Sequence, residues 1–137
     1  MDGERLSPEA AMRAAEFRAA LRRFLRRSER IARSSGLTPQ RYLLLLMIKG
    51  APDGSEQSTV TELAERLQLA QSTVTELVRR AEEVGLVERK TSALDGRVAH
   101  LRVTEEGERR LAKAIARLTG ERDALRATFA QLDEAAP

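Results

Sequence analysis

The sequence predicts a mainly α-helical fold that carries one small β-hairpin. Three observations support this prediction. Both ends of the chain have long apolar stripes at helical spacing, two short helical segments separated by three residues lie in the middle, and two short alternating segments follow them. We expect one structural domain in three parts: an N-terminal helix in residues 1–36, a central lobe in 37–104 and a C-terminal helix in 105–137.

The composition restricts the class of protein. A chain of 137 residues is long enough for one hydrophobic core. It has no cysteine, which excludes disulfides, thiolate zinc sites and thiol redox sensing. The longest apolar stretch, residues 42–48, is too short to span a bilayer, and the charged N-terminus lacks a signal-peptide core. We therefore expect a cytoplasmic protein.

The net charge of +3 is modest, but the basic residues are nearly all arginines. Only Lys49, Lys90 and Lys113 are lysines among the 24 basic residues. The guanidinium fork suits phosphates and guanine edges because it donates two parallel hydrogen bonds. An arginine-rich composition can also reflect genomic base bias, so the positions of the arginines carry more weight than their number.

The first predicted helix begins at Ser7 and Pro8, a capping serine followed by an N1 proline, and runs to about Ser34. Its arginines cover the other faces, either as a solvated surface or as phosphate contacts. The apolar stripe is spaced by alternating steps of four and three residues, at Ala10, Ala14, Phe17, Leu21, Phe24, Ser28 and Ile31.

The second predicted helix begins at Thr38 and Pro39 and is apolar nearly all round over residues 42–48. Such a helix belongs in the middle of a fold, in contact with several neighbours. Lys49, Gly50 and Pro52 end it, and we interpret residues 51–58 as a loop.

Two short predicted helices follow, separated by residues 68–70. The first begins with a capping box, in which Thr59 accepts from the Glu62 amide and the Glu62 carboxylate returns to Thr59. The second has no capping side chain at Ala70, so we expect it to begin at Gln71 or Ser72. Its apolar face is formed by Val74, Leu77, Val78, Ala81 and Val84.

The opposite face of this helix carries amide, hydroxyl, carboxylate and guanidinium groups, at Gln71, Ser72, Thr73, Thr75, Glu76, Arg79 and Arg80. Such groups hydrogen-bond base edges and phosphate oxygens. Two short helices joined by a tight turn, the second polar at its start, predict a DNA-reading helix-turn-helix. A core pair of helices with no DNA contact is the alternative.

Two predicted strands, residues 86–91 and 97–104, follow directly, and Asp95 and Gly96 between them favour a turn. The second strand alternates apolar and mostly polar residues, so one face is buried. A hairpin in this place is a wing. Arg89, Lys90 and Arg97 would lie along it, where cations meet phosphates or enter a minor groove.

The segments LTPQRYLLL, TVTELAERLQLAQSTVTELVRRAEEVGLVER and DGRVAHLRVTEEG together resemble the MarR family of winged-helix transcription regulators, over residues 37 to about 111. The resemblance implies a homodimeric DNA binder, usually a repressor and often released by a small molecule. It also implies that Arg97 enters the minor groove and that Asp95 holds it.

Effectors of the family often bind where the dimerisation helices meet the DNA-binding lobe, which the resemblance carries over to Phe17, Leu21, Tyr42 and Leu46. Arg13 or Arg18 is a candidate anchor for an anion there. An ordinary core role for these residues is the alternative.

The last predicted helix is capped by Thr104, with Glu105 and Glu106 in its first turn. Gly120 is a candidate bend, and Arg122 interrupts an apolar stripe formed by Leu111, Ile115, Leu118, Leu125, Phe129 and Leu132. A second copy of the chain would cover the stripes of both terminal helices and supply two reading helices for a pseudopalindromic site. The expected dimer contacts are Ala14, Phe17, Leu21, Leu118, Leu125 and Phe129. Packing of the two helices on each other within a monomer is the alternative.

The sequence shows no nucleophile with a base, no metal cluster and no phosphate loop, and its one histidine, His100, lies on a predicted wing strand. We predict no catalysis, cofactor or metal. The predicted function is a homodimeric, sequence-specific DNA-binding regulator, a repressor of a nearby operon released by a small aromatic or anionic ligand. The alternative is a winged-helix module that binds a protein and no DNA.

Overall fold

The computed structural model describes residues 5–91 and 98–134, which form five helices and three strands. In chain order these are α1 (Pro8–Ser34), α2 (Pro39–Lys49), β1 (Gln57–Ser58), α3 (Val60–Leu67), α4 (Gln71–Glu83), β2 (Val87–Thr91), β3 (Ala99–Val103) and α5 (Glu105–Glu134). The predicted fold class, mainly α with a small β wing, is confirmed. None of the helices in the described ranges is long and apolar enough to cross a membrane.

Helix α2 lies at the centre of the fold, in contact with α1, α3, α4, α5, β1 and β3. Its side chains Leu44, Leu45 and Ile48 are completely buried. The helix begins as predicted, because the Thr38 hydroxyl accepts a hydrogen bond from the Arg41 amide. The apolar segment around which the lobe forms is therefore the one that the sequence indicates.

The two terminal helices form an antiparallel pair, which we call the arm (α1 with α5). The rings of Phe17 and Phe129 stack with centroids 4.5 Å apart. Further along, Arg27 pairs with Glu121 at 2.7 Å. Residue numbers therefore increase along α1 in the direction in which they decrease along α5. The two helices of the arm thus pack on each other within one chain. This packing leaves 41% of the Phe17 surface exposed.

Helices α3 and α4 form the predicted helix-turn-helix. The capping box of α3 is present: the Glu62 amide donates to Thr59 Oγ1 at 3.2 Å, and the Thr59 amide donates to Glu62 Oε1 at 2.9 Å. At the other end of α3, Gln68 adopts a left-handed conformation with φ of 56°. Arg66 connects α3 to α2 by donating to the carbonyls of Met47 and Gly50.

The sheet has three strands in the order β1–β3–β2, all antiparallel. Our interpretation of residues 51–58 as a loop is therefore wrong at its end, where Gln57 and Ser58 pair with Arg102 and Leu101 of β3. A strand of two residues is too short to show alternation. Its pairing depends on a partner more than 40 residues away in sequence, which a local pattern does not reveal.

Ion pairs hold the start of β1 in place. Lys49 Nζ lies 3.0 Å from a Glu56 carboxylate oxygen and 2.9 Å from one of Glu108. These two carboxylates raise the pKa of Lys49 by accepting hydrogen bonds from its ammonium group. Glu56 itself has a φ of 59°, a conformation that few residues other than glycine adopt. The network thus joins α2, α5 and the turn before β1.

The end of α4 is attached to the beginning of α5 at a corner formed by Gly85, Leu86, Thr104 and Gly107. The Thr104 amide donates to the Leu86 carbonyl at 3.0 Å, and its hydroxyl donates to the Gly85 carbonyl at 2.6 Å. The same hydroxyl accepts from the Gly107 amide at 3.1 Å, the predicted cap of α5. Gly85 has a φ of 76°, which glycine adopts without strain. The corner connects the helix-turn-helix directly to the arm.

Candidate nucleic-acid interface

Helix α4 presents one face to the core and the other to solvent. Val74, Val78 and Ala81 are completely buried. The opposite face includes most of the residues that the sequence predicts to read DNA, all exposed except the half-buried Glu76: Gln71, Ser72, Thr73, Thr75, Glu76, Arg79 and Arg80. The helical period of the sequence therefore predicts correctly which side chains of α4 are accessible. It is wrong for Val84, which follows the helix as its C-cap residue and is 48% exposed.

Helix α4 begins without a side-chain cap. Ala70 occupies the N-cap position with extended backbone angles, φ −64° and ψ 147°, and Gln71 is the first helical residue, as predicted. The backbone already has the geometry that a capping hydroxyl requires.

We therefore expect Ala70→Ser to stabilise the protein by about 1 kcal/mol, because the serine hydroxyl would accept from an unpaired amide in the first turn. Urea titration of both proteins measures this change. Ala70→Val, which adds volume without an acceptor, is the control and should give no gain. An equal gain from both variants would mean that capping is not the cause.

Two polar residues outside α4 also belong to this surface. Gln40, at the start of α2, lines a shallow groove together with Ser72, Thr73 and Glu76. Gln71 Nε2 donates weakly to the Thr61 hydroxyl of α3, at 3.4 Å. Sequence reasoning missed both residues, because the only local signal is a polar residue next to a helix N-terminus. The reading surface thus extends to the first turns of α2 and α3.

Glu76 binds both arginines of the reading face. Arg79 forms a two-pronged pair with it, Nη2 to Oε1 at 2.6 Å and Nε to Oε2 at 2.9 Å. Arg80 Nε shares Oε1 at 2.9 Å. Arg79 also contacts Glu83, one turn further along. The cations predicted to meet DNA are thus joined to carboxylates of their own helix, an arrangement that we call the Glu76 clamp (Glu76 with Arg79 and Arg80).

The clamp changes the protonation behaviour of its members. Hydrogen bonds from Arg79 and Arg80 lower the pKa of Glu76 to about 2, and the same contact raises the pKa of the Arg79 guanidinium. Glu76 is therefore ionised at every pH at which the protein would meet DNA, and it can only accept hydrogen bonds.

At the base of the wing, Arg89 of β2 pairs with Glu82 of α4, with 2.9 Å between Nε and Oε1. The neighbouring Lys90 is exposed. The pair connects the wing to the reading helix. Asp95 and Arg97, predicted for the tip of the wing, lie outside the described residues.

The structure separates the six residues predicted for the dimer contact into three groups. Leu118 belongs to the core of its own chain and is 1% exposed there. Phe17 and Phe129 stack on each other, and Leu125 lines a groove between α1 and α5. Ala14 is exposed and Leu21 is half-buried. The helical stripe predicts burial, but it does not distinguish burial within a chain from burial between chains.

The structure does not place the four residues predicted for a small ligand in one cluster. Tyr42 is 5% exposed in the core, and Leu46 packs against that core. Phe17 and Leu21 lie on the arm outside this cluster. Burial raises the pKa of the Tyr42 phenol, and the charge of Arg122 opposes that rise. The role of Arg13 or Arg18 as an anchor for an anion stays a prediction.

The lobe just described is similar to a known protein family. Residues 35–98, from the end of α1 to the start of β3, match the family model described as MarR family. The winged helix-turn-helix lobe of the chain is similar to the MarR family. The matched residues include helices α2, α3 and α4 and strands β1 and β2.

Solved structures share the fold of this chain. AbsC, a MarR family transcriptional regulator from Streptomyces coelicolor, is 20% identical, with a TM-score of 0.72 over 98% of this chain and 86% of that one. YusO from Bacillus subtilis is 25% identical, with a TM-score of 0.63 over 96% and 100%. The likeness to AbsC includes both helices of the arm.

A third similar structure is the transcriptional regulator MOSR of M. tuberculosis, solved in complex with DNA. It is 29% identical, with a TM-score of 0.62 over 80% of this chain and 77% of that one. No curated protein matches the chain significantly by sequence.

Proposed function

We propose that the protein is a homodimeric, sequence-specific DNA-binding repressor of a nearby operon. The observation that carries this proposal is the exposed polar face of α4, which is positioned by the buried Val74, Val78 and Ala81 and flanked by a basic strand. A helix with such a face can enter a major groove, while the strand meets the phosphates. The similar MOSR structure, which contains DNA, supports the same role. The proposal places the protein in the cytoplasm, with the DNA.

Each part of the surface has a role in this proposal. Four residues of α4 face base edges, namely Ser72, Thr73, Thr75 and Glu76. Gln71, Arg79 and Arg80 divide their contacts between bases and phosphates. Arg89 and Lys90 contact phosphates from the wing, and Arg97, positioned by Asp95, enters the minor groove.

The proposed dimer forms through the arm. The supporting observation is that α1 leaves several large apolar side chains exposed, among them Met12, Phe17 and Leu25. A two-fold pair of arms would cover such residues and place two copies of α4 on a pseudopalindromic site. The expected contacts are Ala14, Phe17, Leu21, Leu125 and Phe129.

The experiment that tests the function is binding to the DNA upstream of the protein's own gene, beside scrambled DNA of equal length, over a range of salt concentrations. We expect selective binding, two protomers per site and an affinity that falls steeply with salt, because phosphate contacts release counterions. Absence of binding even at low salt would reject the proposal and favour the module that binds a protein.

Two substitutions distinguish the contribution of the wing to DNA binding from that of the reading helix. Arg97→Ala is expected to weaken binding to all sequences and to reduce the salt dependence by about one contact, since a groove cation is lost. Thr75→Ala should instead reduce the preference for the specific site more than the affinity. Titration of both variants on specific and scrambled duplexes measures the two effects. Unchanged affinity of the Arg97 variant at every salt concentration would remove the wing from the proposed mechanism.

The proposal includes release of DNA by a small aromatic or anionic ligand, at the site predicted around Phe17, Leu21, Tyr42 and Leu46. The supporting observation is that Tyr42 is a buried phenol whose pKa is raised by burial and lowered by the charge of Arg122. A thermal-shift screen with aromatic acids, repeated on Arg122→Gln, tests this part. Absence of any acid that both shifts the melting temperature and releases DNA would count against it.

A further inference from the structure

Each arginine that the reading helix and strand β2 would bring to DNA already has a carboxylate partner within the protein. Arg79 and Arg80 share Glu76, and Arg89 pairs with Glu82. Phosphate oxygens and carboxylate oxygens accept the same hydrogen bonds from a guanidinium. A phosphate that takes a donor already used in one of these pairs therefore replaces a carboxylate.

Glu76 differs from the other carboxylates in its position. It lies in the second turn of α4 and lines the same groove as Gln40, Ser72 and Thr73, with 44% of its side chain exposed. Recognition helices contact bases mainly through their N-terminal turns. Glu83 is the last residue of the helix and Glu82 faces β2. Only Glu76 is placed both to hold the arginines and to reach a base edge.

On DNA of arbitrary sequence, the clamp opposes binding. If Arg79 or Arg80 turns to a phosphate, the Glu76 carboxylate loses a donor and stays ionised beside a chain of negative charges. Among the groups that DNA offers, only a hydrogen-bond donor on a base can replace the arginine that Glu76 gives up. In the major groove such donors are the amino groups of cytosine and adenine. Adenine places its N7 acceptor next to the amino group, which repels a carboxylate, and cytosine has no such acceptor.

We propose that Glu76 determines sequence specificity by holding Arg79 and Arg80 away from phosphates on random DNA and by accepting a hydrogen bond from N4 of a cytosine in each half-site. This inference rests on the proposed DNA-binding function. In this inference Glu76 recognises one base pair of each half-site. The clamp contributes to specificity mainly by lowering the affinity for other DNA sequences.

The test uses Glu76→Gln, which preserves size and removes the charge. Both proteins select from a pool of randomised duplexes, and the affinity for a random duplex is measured over a range of salt concentrations. We expect affinity for random DNA to rise about tenfold, with one or two additional phosphate contacts in the salt dependence. At one position per half-site the preferred base should change from cytosine to adenine, because glutamine pairs with adenine N6 and N7.

Two matched variants serve as controls. Glu83→Gln removes another partner of Arg79 but leaves the Glu76 clamp, so the preference for cytosine should persist. Glu29→Gln makes the same change of net charge on the exposed surface of α1 and should change neither the affinity nor the selected sequence. Thermal melting of each variant checks that it is folded.

The outcomes separate the two proposals. If the unmodified protein selects no sequence and binds no DNA at low salt, the proposed function fails and this inference fails with it. If the unmodified protein selects a site and Glu76→Gln selects the same bases with the same affinity for random DNA, only the inference about Glu76 is overturned. An equal gain of affinity in Glu29→Gln would also overturn it, since net charge alone would then explain the effect.

Discussion

Replacing Leu101 by alanine is expected to lower the free energy of unfolding by about 2–5 kcal/mol, the usual range for removing a buried leucine. Leu101 is 0% exposed and lies on β3, the central strand, opposite Ser58 on one side and Arg89 on the other. The strand packs on α2. The substitution therefore leaves a cavity between the sheet and the central helix, where the closely packed surroundings have little freedom to fill it.

Urea titration followed by circular dichroism measures this loss. Leu43→Ala is the matched control, because Leu43 lies on α2 with 43% of its surface exposed and should cost much less. We also expect weaker DNA binding by Leu101→Ala below its melting temperature, since Arg89 is its register partner on the wing. Equal losses of stability in the two variants would show that the sheet does not pack on α2 as described.

Gly107→Ala is expected to destabilise the protein by about 1–3 kcal/mol, even though alanine is the better helix former. A Cβ at this position would lie 2.3 Å from the carbonyl oxygen of Leu86 and 2.8 Å from a methyl group of Val103. The first of these atoms belongs to the backbone at the corner between α4 and α5. Relief of the clash therefore requires that the Leu86 backbone moves away from the beginning of α5.

Gly120→Ala in the same helix is the control. A Cβ there meets none of the described atoms within 4 Å, so this variant should gain about 0.5–1 kcal/mol from helix propensity. Thermal melting of both variants gives the comparison, and opposite signs are the expected result. A stabilising effect at both positions would contradict the close contact of Gly107 with Leu86.

Local signals in the sequence predict much of this fold. The capping box of Thr59 and Glu62 involves residues three apart, so it is visible without knowledge of the fold, and it is present as predicted. The helical period of α4 likewise predicts which of its faces is exposed. Strand β1 is different, since Gln57 and Ser58 become a strand only because β3 lies beside them.

Some features of the candidate site could likewise be predicted from the sequence, and others could not. The spacing of Glu76 from Arg79 and Arg80, three and four residues, is the spacing at which helical side chains meet, so the clamp could have been found in the sequence. Gln40 could not, because nothing local indicates that the start of α2 lies beside α4. Leu118 shows a further limit, since an apolar stripe reports that a residue is covered but not which chain covers it.

The corner at Thr104 has a mechanical consequence. The hydrogen bonds of Thr104 to Gly85 and Leu86 fix the end of the reading helix to the beginning of α5. A 30-residue helix is about 45 Å long, so a tilt of about 10° displaces its far end by about 8 Å. In the proposed dimer, a small change in the tilt of an arm thus produces a large displacement at its far end. The crossing angle between the two arms sets the distance between the two reading helices, and with it the number of base pairs that separates the half-sites of the operator.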